Sequence, residues 1–388
     1  MNYLSSKDMK PLSVLLLTSK LSPAAGGLAV SVPGLAYTID PLPNINMHVM
    51  GTLDPSNLQS AKDWGPRVSA FATKGPKAGQ YSPELMPAIA ALAPDLIDVQ
   101  GLWSYSSLAC LRHARKTDTP YIITPRGMLD PWARRNSAWK KRIAGFAFEY
   151  AHLKGAHLLR ATAEMEAQHI RDMGLTNPIA IVPNGIDLPE LAPRTENVSR
   201  SILFLSRIHP KKGVDYLLKA WSVLHSNFPD WQIVIAGIDE NNHSLDLKKL
   251  VRKLKLPRVH FVGEVHGYAK QKLYRDADLF VLPTHAENFG LVVAEALAQE
   301  TPVITTTNAP WSGLNEHECG WWIDLDLNQL VLTLDNALSK SKADLSVMGR
   351  RGRCWVSDEF SMHNVADKMW KVYMWVAGKG AKPDYVFE

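Results

Sequence analysis

Cysteine is scarce in this chain: three in 388 residues, Cys110, Cys319 and Cys354, with no Cys-x-x-Cys pair among them. That excludes a disulfide framework, leaves no structural zinc site and suits a reducing compartment. Long apolar runs are also missing. None approaches the ~20 residues that cross a bilayer, so no integral membrane span is expected. Lys7 and Lys10 precede the apolar run Leu12–Leu17, but that run is short for a signal core and no Ala-x-Ala site follows it, so it reads as a buried strand. Internal repeats and low-complexity tracts are absent. With 46% apolar and 21% charged residues, the composition excludes disorder, a coiled coil and a fibrous repeat.

Short apolar runs alternate with helical patterns along most of the sequence. One series of strands is expected at Ser13–Leu17, Met47–Met50, Leu96–Val99, Tyr121–Thr124, Leu158–Ala161 and Ala180–Val182. A second is expected at Ile202–Leu205, Gln232–Ala236, Val259–Val262, Leu279–Leu282, Val303–Thr306 and Trp321–Ile323. Spacing of i, i+3, i+4 predicts helices at Val214–Leu224, Leu245–Leu254, Gly290–Gln299 and Val365–Val376. Val/Ile/Leu-rich strands that alternate with helices indicate parallel, doubly wound sheets. The stretch Leu188–Arg200 has two prolines and no period, and it reads as a linker. The fold class is therefore α/β, with two Rossmann-like parallel-sheet domains facing across a cleft. The expected divisions are one Rossmann-like domain over 1–190, a second over 191–364, and a C-terminal helix over 365–388 packing back on the first.

Three loops follow strands and precede helices. Gly26-Gly27 permits close backbone approach to a ligand, or marks a plain turn; Pro33 in the following helix predicts a kink. Arg207 and Lys212, in "LSRIHPKKG", can together hold a diphosphate, or form a solvated charged loop. In "HAENFGLVVAEALAQ", Glu287 lies in the loop, and the amides around Phe289, Gly290, Leu291 and Val292 are helix-start donors suited to phosphate. Glu295 lies on the helix that follows. Carboxylates beside an anion site suit sugar hydroxyls, although Glu295 alone could be a helix-surface acid.

Net charge is +5, and the excess is local. From Arg112 to Arg160 there are eleven Lys/Arg against three acids, which implies an anionic partner. Within it, residues 132–153 read as one amphipathic helix. Trp132, Trp139, Ile143, Phe146, Tyr150 and Leu153 form its stripe, flanked by Arg134, Arg135, Lys140, Lys141 and Arg142. Such a helix fits an anionic membrane surface, or docks on its own domain with a solvated basic side. No nucleic-acid signature accompanies the charge.

Taken in order, Gly26-Gly27, "QGLWSYSSLA" (100–109), "IITPRGMLDPW" (122–132), "VPNGID" (182–187), "SRIHPKKGVDYLLKAW" (206–221), "VHFVGEV" (259–265) and Glu287-x7-Glu295 resemble the retaining GT-B glycosyltransferases, in particular glycosyltransferase family 4, the glycosyl transferases group 1. The resemblance runs from residue 26 to about 323, and it implies that the domain over 1–190 takes the acceptor and the domain over 191–364 the nucleotide-sugar donor. It implies that Arg207 and Lys212 bind the donor diphosphate and steady the leaving group, that Glu287 holds the sugar hydroxyls, and that Glu295 binds the ribose. The amides of Phe289 to Val292 would touch the diphosphate or sugar, Val262-Gly263 would flank the base, and Gly27 would abut the phosphates. It further implies a UDP- or GDP-linked sugar as co-substrate, no cofactor and no metal. No Asp-x-Asp accompanies the phosphate loops, and Asp324-x-Asp326 reads as a solvated turn.

The sequence departs from the family where a histidine is usual. "T-x-H-G" is Thr124-Pro125-Arg126-Gly127 here, and "H-x-H-G" is Asp98-Val99-Gln100-Gly101. Arg126 can contact an anion, either the diphosphate or an acceptor, but cannot act as a base. The expectation is a retaining, metal-independent hexosyltransferase, cytoplasmic or peripheral on the inner face of the plasma membrane. It would act on a lipid-linked saccharide in cell-surface polysaccharide or lipopolysaccharide synthesis. The rivals are an inactive nucleotide-sugar-binding relative and a nucleotide-sugar epimerase on the same fold.

Overall fold

A computed structural model describes residues 10–22, 25–53, 61–75, 79–135, 138–195 and 199–388, with the side chains of Ala138 and Lys140 not described. The predicted linker therefore lies partly outside it, at 196–198, as does Lys7. The chain divides into two units, Met1–Asp187 with Met362–Glu388, and Leu188–Ser361.

The first unit holds an eight-stranded sheet. Its strands are β1 (Leu12–Thr18), β2 (Ile45–Leu53), β3 (Val68–Ala72), β4 (Leu96–Gln100), β5 (Tyr121–Thr124), β6 (Leu158–Ala161), β7 (Ile179–Ile181) and, at the C-terminus, Val386–Phe387. In space the order is 3-2-1-4-5-6-7, all parallel, with Val386–Phe387 closing the far edge antiparallel to β7. Both faces of the sheet are covered. Leu12, Val14 and Leu16 of β1 join one apolar cluster, while Leu15 and Leu17 join the other. This alternation is why a parallel strand reads as an unbroken apolar run.

The second unit holds β8 (Arg200–Leu205), β9 (Trp231–Ala236), β10 (Val259–Gly263), β11 (Leu279–Leu282), β12 (Val303–Thr306) and β13 (Gly320–Ile323), so the C-terminal strand is β14. Their order is β10-β9-β8-β11-β12-β13, all parallel. The chain reverses its direction of growth at β1/β4 in one unit and at β8/β11 in the other. Ligands in such sheets gather outside the strand carboxyl ends at that switch point.

Several expectations are corrected here. β3, β14 and the long helix Lys342–Phe360 lack a clear apolar period and were not expected from the sequence. Pro33 lies inside the helix Leu28–Ile39. Asp326 is a helix cap, accepting from the Gln329 amide at 2.9 Å, and Asp324 accepts from Thr307 Oγ1 at 3.0 Å, so this pair is more than a solvated turn.

The largest correction concerns the basic helix. In place of one helix over 132–153 there are short helices at Pro131–Arg135, Ala138–Ala144 and Tyr150–Gly155, with a π-helical turn at Gly145–Glu149. The cause is Glu149. Its side chain is fully buried, accepting from the Trp103 amide at 2.6 Å and lying 2.9 Å from His152 Nδ1. Drawing that carboxylate inward takes an extra residue in the turn and splits the stripe. Tyr150 and Leu153 dock, while Trp139, Ile143 and Phe146 are 62–78% exposed.

The chain returns to the first unit through the helix Met362–Val376, which begins with the Met362 amide donating to Ile186 O at 2.9 Å. Val365, Ala366, Met369, Val372 and Tyr373 bury fully against the cluster that holds Val32 and Leu35. Each large apolar side chain of that kind is worth about 1.5–3 kcal/mol. Tyr373 also donates its hydroxyl to Asp98 Oδ2 at 2.7 Å in the middle of the sheet. Burial pushes the Asp98 carboxyl up from its ordinary value, against the hydroxyl bond that favours its ionised form. Tyr373→Phe removes that donor from a buried acid, and equilibrium urea unfolding is expected to show a loss of about 1–3 kcal/mol.

Candidate active site

Two loops of the second unit are sewn together at the β8/β11 switch point. After β8 the chain enters a 3-10 turn at Pro210–Lys212, capped by His209 Nδ1, which accepts from the Lys211 amide at 3.0 Å. After β11 it passes Pro283 and Thr284. The His285 amide donates to Lys211 O at 2.8 Å and Thr284 Oγ1 to the same oxygen at 3.1 Å. From β12, Thr306 Oγ1 donates to Thr284 O at 2.6 Å, and Asn308 O accepts from the Glu287 amide at 2.9 Å.

Gly213 makes the contact possible. Its φ is +69°, and a Cβ there would lie 1.9 Å from Pro283 O. The loops thereby bring Lys212 and Glu287 into a direct ion pair, with side chains 8% and 11% exposed. Gly290 (φ +80°) then opens the helix Leu291–Ala298. Its first amides, Leu291 and Val292, have no carbonyl one turn back to bond. Phe289 is buried against Trp311 and Phe360, and Trp311 Nε1 donates to Phe289 O at 2.5 Å.

Glu295 lies further along the same helix. Lys270 Nζ is 2.6 Å from its Oε1, and the Tyr274 hydroxyl donates to its Oε2 at 3.0 Å. Burial, with that carboxylate alongside, drives the Tyr274 phenol well above its ordinary range. Arg207 is exposed and pairs with Glu240 at 2.8 Å, on the loop after β9. Val262 is 46% exposed at the end of β10 and Gly263 takes φ +78°, accepting from the Gly237 amide at 2.8 Å. Lys270, Tyr274 and Glu240 went unnoticed in the sequence. Nothing in their local pattern marks them, because each reaches its partner from another strand or helix.

Gly27 and Arg126 belong to the other unit. Gly27 precedes the helix Leu28–Ile39 after β1, with the Ser31 amide donating to its carbonyl at 3.0 Å. Arg126 follows β5 with φ +59°. Its Nε and Nη2 donate to Gln100 Oε1 at 3.0 and 2.5 Å, and its Nη1 donates to Asn184 Oδ1. The two departures from the family's histidines are thus in contact with each other. Among the basic residues ahead of β6, Arg134, Arg135 and Arg142 are exposed and Trp132 is 41% exposed. Lys141 is tied by Nζ to Ala133 O at 2.5 Å, and burial lowers its ammonium pKa. These four basic side chains, with Trp103 and Phe146, line a groove of about 500 Å³.

Among the described residues no group of three or more His, Cys, Asp or Glu side chains could hold a metal ion. No described helix is long and apolar enough to cross a membrane.

Residues 193–353 match the model of the glycosyl transferases group 1, and residues 47–185 match that of the glycosyl transferase 4-like domain. The chain belongs to the group 1 glycosyl transferases. Among curated relatives, the chain is 28% identical over 220 residues to phosphatidyl-myo-inositol mannosyltransferase of Mycobacterium tuberculosis, covering 52% of this chain and 55% of that protein. It spans about half the length of the curated relatives it matches. Among solved structures, sucrose-phosphate synthase from Thermosynechococcus elongatus superposes with a TM-score of 0.78 at 20% identity, covering 94% of this chain and 99% of that one. Anabaena HepE in complex with UDP and glucose gives 0.75 at 17% identity, covering 93% and 99%. These two likenesses bear on the fold alone: two Rossmann-like parallel-sheet units of the GT-B kind.

Gly213→Ala forces a side chain into the left-handed region, which costs on the order of 1–3 kcal/mol, and drives its Cβ into Pro283 O. Urea unfolding of the intact chain is expected to show a loss of at least that size.

Proposed function

We propose that the protein is a retaining, metal-independent hexosyltransferase that moves a sugar from a UDP- or GDP-linked donor to a saccharide acceptor. The observation that carries this reading is the Lys212–Glu287 pair at the β8/β11 switch point, beside the open helix start at Leu291. Breaking the anomeric C–O bond builds positive charge on the sugar and negative charge on the departing diphosphate. Lys212 and Arg207, with the amides of Phe289 to Val292, supply donors for that negative charge, and donors fixed beforehand lower the barrier. Two side-chain cations in that role are the reason no metal is invoked. Glu287 would hold the sugar hydroxyls and Glu295, fixed by Lys270 and Tyr274, the ribose. Val262-Gly263 would border the base, and Gly27 the phosphates. Retention follows from a front-face displacement in which the leaving phosphate takes the acceptor proton. HepE, solved with UDP and glucose, supports a nucleotide-sugar donor.

The acceptor in this reading is lipid-linked, and the enzyme works peripherally at the cytoplasmic face of the plasma membrane in cell-surface polysaccharide or lipopolysaccharide synthesis. The mannosyltransferase relative, named for a phosphatidyl-inositol, supports it. So does the exposed set Trp139, Ile143 and Phe146 beside Arg134, Arg135 and Arg142, with Trp132 and Lys140 completing the stretch in sequence.

Lys212→Ala is expected to lower kcat by ~10²–10³. Glu295→Gln is expected to weaken nucleoside diphosphate binding with a smaller effect on kcat. A thermal-shift panel of UDP, GDP, ADP and their sugars identifies the donor, since a ligand at 100 times its Kd adds about 2.7 kcal/mol. Near-normal turnover of Lys212→Ala defeats the diphosphate role.

For the membrane, each basic side chain near an anionic surface contributes about 1 kcal/mol. The triple variant Arg134→Gln, Arg135→Gln, Arg142→Gln is expected to release the protein from anionic vesicles in a sedimentation assay, and salt is expected to do the same to the wild type. Equal pelleting of the wild type with neutral vesicles removes the lipid-surface reading.

A further inference from the structure

Arg126 is a cation that the protein fixes in place through uncharged direct partners. Three of its five N–H donors are committed, and all three go to uncharged amide oxygens, Gln100 Oε1 and Asn184 Oδ1. The orientation of Gln100 is itself set from behind, since its Nε2 donates to Asp98 Oδ1 at 2.6 Å. The acids nearby, Asp98 and Glu166, favour the charged guanidinium through space and spend their hydrogen bonds on other donors. Asp98 takes bonds from Tyr373, Gln100 and Thr124. Glu166 takes the Gly127 amide at 2.6 Å and both the amide and hydroxyl of Thr162 at 2.8 Å.

A second guanidinium lies behind. Arg160 is 1% exposed and donates to Val182 O and Pro183 O at 3.0 and 2.6 Å, while its Nη1 has no partner among the described residues. Burial, and then Arg160, pull the Arg126 guanidinium down to about 9, so it stays charged at neutral pH. Arg126 also holds a left-handed backbone at φ +59°, a conformation that costs free energy in a non-glycine residue. Strain of that kind persists where surrounding structure enforces it.

The placement suits a ligand. Gln100 ends β4, Arg126 follows β5 and Asn184 follows β7, so all three sit at the carboxyl edge of the first sheet, where ligands of such sheets bind. Arg126 is partly exposed there, with two N–H donors uncommitted among the described residues. A guanidinium with a fixed plane is matched to a two-oxygen anion.

We propose that the acceptor carries an oxyanion, a carboxylate or a phosphate monoester on its saccharide, and that Arg126, clamped by Gln100 and Asn184, receives it. This rests on the glycosyltransferase reading and specifies its acceptor. The two departures from the family pattern then have one explanation. Gln100 supplies the neutral acceptor that orients the guanidinium without cancelling its charge, which an acid there would do.

The test uses the intact chain and three probes that share a ring: glucose, glucuronate and glucose 6-phosphate, with dissociation constants from saturation-transfer NMR. Wild type is expected to bind at least one charged probe about tenfold more tightly than glucose; which one it prefers separates carboxylate from phosphate. Arg126→Gln is expected to abolish that preference. Asn184→Asp, an isosteric change that sets a carboxylate against Arg126, is expected to abolish it with the arginine still present, and it decides the matter if Arg126→Gln does not fold. UDP and GDP titrations run in parallel report on the donor site alone, and both variants are expected to keep wild-type affinity. Equal binding of charged and neutral probes by wild type overturns the proposal, as does a preference that survives in both variants. Loss of nucleoside diphosphate affinity in Arg126→Gln overturns it too, by assigning Arg126 to the donor.

Discussion

The Lys212–Glu287 ion pair is the contact around which the second unit's loops are arranged. Both side chains are nearly buried, and removing one partner of such a pair leaves the other as an uncompensated charge, at a cost of about 3–5 kcal/mol. The loops therefore have to meet. They do so through backbone bonds from His285 and Thr284 to Lys211 O and through the close approach of Gly213 to Pro283 O. Lys212 has three donors, and the pair leaves it fixed next to a helix whose first amides have no intrahelical carbonyl to bond. Rigid placement of charge before reaction is the feature that electrostatic catalysis uses.

The two units share a topology and differ in how they treat charge. In the second, the cations of the site are matched by acids: Lys212 by Glu287, Arg207 by Glu240, Lys270 by Glu295. In the first, Arg126 is held by amide oxygens and the nearby acids are bonded to other donors. A shared fold does not dictate a shared site chemistry. What differs is the set of side chains delivered to the same carboxyl edge.

The basic segment illustrates the limit of periodic patterns. Trp139, Ile143, Phe146, Tyr150 and Leu153 have helical spacing, yet the helical stretch carries a π-turn that ends at the fully buried Glu149, and the residues on its two sides lie in different environments. The pattern registers apolarity and cannot register that Glu149 finds two partners inside. β3 and β14 escaped notice for a related reason. Val68–Ala72 is a half-buried edge strand, and Val386–Phe387 is a two-residue pairing made only once the chain has returned to the first sheet.

Local sequence determined the strand series, the alternation with helices and the strand-end loops that carry Lys212, Glu287 and Arg126. All of these depend on short-range apolarity, on glycine where φ is positive, and on loop chemistry next to it. Tertiary structure alone decided the partnerships: Lys270 and Tyr274 on Glu295, Glu240 on Arg207, Tyr373 under Asp98, and Gln100 with Asn184 around Arg126. The physical reason is that a hydrogen bond or ion pair between residues far apart in sequence leaves no periodic trace. It exists only when the order of strands in the sheet brings their carboxyl ends side by side.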